Sequence, residues 1–85
     1  MRVLRKESSL FKIGQIVRNN KHGTFYVIKG MCKLEATAEP AYLYSRVKES
    51  EANPQVWVDD AEHPDLWARA VDIMNLKFEA ANLLD

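Results

Sequence analysis

The chain has 85 residues, 47% of them hydrophobic and 28% charged, with formal net charge zero. That composition fits one globular domain and excludes a disordered polyelectrolyte, and no apolar run approaches the ~18 residues of a membrane helix. The basic N-terminus has no apolar stretch and no small-residue cleavage site of a secretory signal. The single cysteine, Cys32, excludes an internal disulfide framework and points to a reducing, cytoplasmic setting.

In chain order, residues 1–10 read as a basic N-terminal arm, with Leu10 and Phe11 entering the core. Residues 13–17 predict a first strand, with Gly14 at a bend. Asn19 to Gly23 predict a turn, because Gly and Asn tolerate positive φ. The aromatic and β-branched run Thr24 to Lys29 predicts a second strand, ended by Gly30. Met31 to Ala36 begin a second arm, and Thr37 to Pro40 make a connection. Ala41 to Lys48 predict a further strand, with Tyr42, Tyr44 and Arg46 on one face and Leu43, Ser45 and Val47 on the other. Short strands follow at 55–58 and 66–68, separated by an acidic loop. From Val71 the period changes: Ile73, Leu76, Ala80, Leu83 and Leu84 recur at helical spacing, which predicts a C-terminal helix over 71–83.

Short strands followed by one helix make the fold class mainly β (α+β). The expected architecture is a small, strongly bent antiparallel sheet or partly open barrel over 13–70, of the SH3-like kind, with the helix covering one side. In so short a chain the two tryptophans, Trp57 and Trp67, are expected in the core, and partial exposure of either would mark a binding anchor.

Three segments carry a resemblance. They are Gly23-Thr24-Phe25-Tyr26-Val27-Ile28-Lys29-Gly30, Thr37-Ala38-Glu39-Pro40-Ala41-Tyr42-Leu43-Tyr44, and Leu66-Trp67-Ala68-Arg69-Ala70 followed by Met74. Together they resemble a family of short bacterial and phage SH3-like barrel proteins of unknown function, over about residues 13–75. The chain departs from that pattern at Ala70, where Pro is usual, and in a longer acidic stretch over 49–63. The resemblance implies a fold and transfers no catalytic residue.

The residue inventory offers little for catalysis. A nucleophile needs a neighbouring base and an orienting group, and Cys32 sits in an apolar context that suits a small core residue. Zinc needs three or four N/S ligands, and the chain holds only Cys32, His22 and His63 of those types. The acids around His63 lack the alternating ligands and the glycine of a calcium loop. The glycines are scattered, with no phosphate loop. The expectation is therefore no enzyme activity, no metal and no cofactor.

Charge placement is more informative than its total. Through residue 33 there are eight basic residues and one acidic; from residue 34 there are four basic and eleven acidic, so the halves stand near +7 and −7. Either the halves pair their charges, or the molecule is dipolar. The leading expectation is a small protein-binding module, a monomer or weak homo-oligomer, that modulates or inhibits a larger bacterial protein such as a defence nuclease or a transcription or replication component. Its candidate residues are Glu49, Glu51, Trp57, Asp59, Asp60, Glu62 and Asp65. The alternative is a nucleic-acid-binding accessory domain. There Arg18, Lys21, His22, Lys29 and Lys33 would meet phosphates, and Tyr26, Tyr42 and Tyr44 would stack bases.

Overall fold

The computed structural model describes residues 11–54 and 56–81; the basic arm over 1–10 lies outside the described residues. It is mainly β, an antiparallel sheet of six strands with one short helix. The strands are β1 (Ile16–Asn19), β2 (Phe25–Lys33), β3 (Pro40–Glu49), β4 (Trp57–Asp59), β5 (Leu66–Ala70) and β6 (Phe78–Ala80), and the helix α1 (Val71–Lys77) lies between the last two. The sheet runs β4-β3-β2-β1-β6. Strand β3 is central: β2 pairs along one edge, while β5 and then β4 share the other. No pairing joins β6 to β4 or β5 among the described residues, so the sheet stays open and the expected partial barrel closure is absent.

Local chemistry sets these elements. Gly14 and Gly23 take φ of 91° and 73°, at the bend before β1 and in the β1–β2 turn. Both are conformations that glycine adopts without a Cβ clash. Strand β2 runs on past Gly30 to Lys33. Its register slips between Ile28 and Gly30, where Ile28 faces Tyr44 and Gly30 faces Leu43. Lys29 is the extra residue of that bulge, and bulges bend and twist a strand. Strand β3 is buried at Ala41, Tyr42, Tyr44, Ser45 and Val47, hence on both faces. That is why its sequence lacks a clean apolar–polar alternation.

Phe11, Val17, Ile28, Tyr42, Tyr44, Val71, Met74 and Phe78 form the core, with Tyr26 packed against it. Each large side chain there stabilises by roughly 1.5–3 kcal/mol. The C-terminal segment departs from expectation. The helix ends at Lys77, six residues before the expected end, and Phe78 turns into strand. Its buried face is Val71 and Met74, continued by Phe78, while Ile73 and Leu76 are exposed, Leu76 at 79%. The cause is tertiary. Strand β1 needs a second neighbour, and Val17, Arg18 and Asn19 pair with Ala80, Glu79 and Phe78. Sheet pairing overrides helix propensity here. Leu83 and Leu84, the remaining apolar positions of the expected helix, lie outside the described residues. No helix among the described residues is long and apolar enough to cross a membrane.

Candidate functional site

The β1–β2 turn is built on Asn19. Its Oδ1 accepts the backbone N–H of Lys21 and of His22, both at 2.9 Å, and its carbonyl accepts the Gly23 N–H at 2.8 Å. Such an Asx turn holds Lys21 and His22 outward at the tip. The turn is tied to the end of α1: the Asn20 N–H donates to the Lys77 carbonyl at 2.9 Å, and Asn20 Nδ2 donates to the Leu76 carbonyl at 3.5 Å. These bonds occupy carbonyls that a helix leaves open at its C-terminus. They also bring Lys77 beside Lys21, although the two are far apart in sequence. Lys77 stands in the last turn of α1, where a cation suits the helix dipole.

Arg69 completes the surface from β5, its guanidinium 5.9 Å from the centroid of the Phe78 ring. The resulting concavity, about 520 Å³, is lined by cations and amides, by Tyr26 and by Leu76, and among the described residues no carboxylate lines it. Lys21, His22, Arg69 and Lys77 make no ion pair among the described residues. At the same edge lies an aromatic group. Tyr26 meets Tyr44, Trp67 and Phe78 edge-on, at centroid distances of 5.3, 5.8 and 5.6 Å. Trp67 keeps 36% of its surface exposed. Trp67 and Arg69 stand two residues apart on β5, hence on one face of the strand.

The other residues expected to contact nucleic acid are dispersed. Arg18 pairs with Glu79 at 2.7 Å and Lys29 with Asp59 at 3.4 Å. Both pairs join a base of the first half to an acid of the second, so part of the charge asymmetry is cancelled within the fold. Lys33 is exposed at the far end of β2, opposite Pro40. Tyr42 and Tyr44 are core residues, with 0% and 4% exposure, so neither ring has a free face for a base. The Tyr42 hydroxyl accepts the Phe11 N–H and donates to Asn75 Oδ1. Burial pushes the Tyr44 hydroxyl pKa above its ordinary value; the nearby Arg69 charge opposes this and Tyr26 adds to it.

The residues of the expected acidic site divide. Asp60 is only 8% exposed. Its Oδ2 faces His63 Nδ1 at 3.2 Å and Arg46 Nε at 3.5 Å, while Oδ1 accepts the Glu62 N–H at 3.1 Å. Burial alone pushes the Asp60 pKa up, but the Glu62 N–H and the His63 ring outweigh it and leave the pKa below the ordinary value. Asp60 is thus a structural anchor of the β4–β5 loop. Glu49, Glu51, Glu62 and Asp65 are exposed, and Trp57 is half-buried with its ring 4.7 Å from that of Phe25. Asp60, Glu62 and His63 bring one potential metal-ligand atom each within 4.8 Å of one another, but Arg46 already faces the same carboxylate oxygen. Beside them a cleft of about 220 Å³ is lined by Lys29, Ser45, Arg46, Asp59, Asp60 and His63. Its cations and acids pair with one another, which leaves little unbalanced charge for a ligand.

Both tryptophans are therefore partly exposed, against the expectation that they are core residues. Arg69 and Lys77 were not among the sequence candidates, because they sit in the acidic half. The one local signal was Arg69 at the second position after a tryptophan on a strand. No family model matches the chain, and neither the curated proteins nor the solved structures contain a match to it.

Proposed function

We propose that this protein is a small binding module, without catalysis, that takes single-stranded nucleic acid on its basic concavity. Phosphates lie against Lys21, Arg69 and Lys77, and a base stacks on the exposed part of Trp67 beside Tyr26. The observation that carries this reading is the convergence, from the β1–β2 turn, β5 and α1, of three cations and a histidine that make no ion pair and meet no carboxylate among the described residues. A cationic track beside aromatic rings is how single strands are held without sequence readout. The net charge of zero does not oppose it, since the local field decides, and the acids on the rest of the surface orient the strand. Three phosphate contacts give a slope of about −2 in log affinity against log salt, so affinity falls roughly 20-fold for a fourfold rise in salt. The test is fluorescence anisotropy with a labelled single-stranded oligonucleotide at low and moderate salt. Lys21→Glu combined with Lys77→Glu should abolish the signal. Unchanged binding by that variant would overturn the reading.

A protein partner is the second reading, and one observation favours it. Val56 and Val58 are exposed on either side of Trp57 in the chain; Val58 pairs with Lys48 and Trp57 with Glu49. Exposed valines flanked in the chain by the exposed acids Glu49, Glu51, Glu62 and Asp65 suit a basic groove on a larger bacterial protein. Capture that survives nuclease and is lost in Glu49→Lys with Glu51→Lys would favour it. Within these readings, the bent meander closed by a helix and a strand returning to β1 is taken as an open member of the SH3-like class. The resemblance to short bacterial and phage proteins belongs to the same proposal.

A further inference from the structure

Strand β5 pairs with β3 through all five of its residues, Leu66 with Ser45 at one end and Ala70 with Ala41 at the other. Its opposite edge carries no backbone hydrogen bond among the described residues. Native sheets usually protect such an edge with proline, a bulge or a short length. Here β4 and β6 are three residues each, and Glu79 of β6 is held by Arg18. Strand β5 is the longest outer strand, with no proline, no glycine and no bulge. Leu66 is 57% exposed, and Ala68 is exposed as well.

We propose that β5 pairs antiparallel with β5 of a second copy of this chain, about a two-fold axis at Ala68. The sequence Leu66-Trp67-Ala68-Arg69-Ala70 is self-complementary in that register. Trp67 faces Arg69 of the second copy, and Arg69 faces Trp67 of the second copy. Leu66 faces Ala70 in both directions, and the small Ala68 sits on the axis without a clash. Directly opposed residues share a face in an antiparallel pair, so Arg69 of each copy stands on the same face as Trp67 of the other, and no like charges oppose across the seam. A two-fold axis at Trp67 would use only three of the five strand residues. The paired sheet places both basic concavities on one face, since Trp67 and Arg69 share a side of β5. The seam stands on strand geometry and holds whether or not nucleic acid is the ligand.

The experiment is sedimentation equilibrium of the full chain from micromolar to submillimolar concentration. The mass should rise from the 9.8 kDa of one chain toward about twice that value. Ala68→Lys and Ala68→Glu, each alone, set like charges face to face on the axis and should weaken the dimer about tenfold or more. An equimolar mixture of the two variants should restore it, because lysine then faces glutamate. Thermal melts report whether each variant folds, and the wild-type mass decides the matter if one does not. A monomer at every concentration would overturn the proposal. So would a dimer indifferent to both substitutions.

Discussion

Replacing Tyr42 with phenylalanine removes one oxygen from the middle of the fold and leaves the ring in place. Tyr42 is wholly buried, and its ring lies 5.5 Å from that of Phe11. The hydroxyl accepts the Phe11 N–H at 3.1 Å and faces Asn75 Oδ1 at 3.2 Å, so it joins the segment before β1, the central strand and α1. A net hydrogen bond contributes ~0.5–1.5 kcal/mol, and the hydroxyl makes two of them. The expected loss is about 1–3 kcal/mol, which in a domain of this size lowers Tm by roughly 5–15 °C. Urea unfolding followed by far-UV circular dichroism measures it, with an unchanged slope expected because the exposed area is the same. Tyr26→Phe is the control: its hydroxyl has no hydrogen-bond partner among the described residues, and its effect should stay within about 0.5 kcal/mol. A Tyr42→Phe loss no larger than that of the control would mean that the hydroxyl does not tie these three segments together.

Two further predictions concern the loops. Ala38 holds φ of 60° in the β2–β3 turn, where its N–H donates to the Leu34 carbonyl at 2.7 Å. A Cβ in that conformation costs ~1–2 kcal/mol, and glycine gives back part of the gain through the unfolded chain, so Ala38→Gly should stabilise by roughly 0.5–1 kcal/mol in the same unfolding assay. Asp60 has its pKa lowered in the folded state, so its carboxylate stabilises above the ordinary carboxylate pKa. That stability is lost as pH falls through the lower folded value. Asp60→Asn should therefore be less stable near neutrality, and the gap to wild type should close in the window below about pH 4. A gap that stays constant across that window would contradict the assignment of Asp60 as an ionised anchor.

Much of the fold was legible because its signals are local. The run Phe25 to Ile28 is β-branched or aromatic throughout, and it is strand. Asn19 and Gly23 mark a turn, and the Asn19 side chain builds it. The C-terminal segment was harder, because Ile73, Leu76 and Ala80 have helical spacing yet face solvent. The buried set Val71, Met74 and Phe78 has similar spacing, and only the open edge of β1 decides where the helix must stop. The site was less legible than the fold. Net charge by halves located most of the basic residues, but it could not say that Arg18 and Lys29 would be paired away. Nor did it show that Arg69 and Lys77, inside an acidic half, would meet Lys21. That meeting depends on Asn20 binding the end of α1, a contact between segments more than fifty residues apart. The strand tyrosines divide for the same reason: alternation sets Tyr42 and Tyr44 on one face, and topology buries that face.

Binding of single strands on the basic concavity is tested most directly by titrating the ¹⁵N-labelled protein with a short single-stranded oligonucleotide, read by amide and Trp indole shifts. The expected changes are confined to the turn Asn19 to His22, Tyr26, Trp67 to Arg69, and Leu76 and Lys77, with the Trp67 indole among the largest. Shifts at Glu49, Glu51 and Val56 to Val58, or none at saturating oligonucleotide, would contradict it.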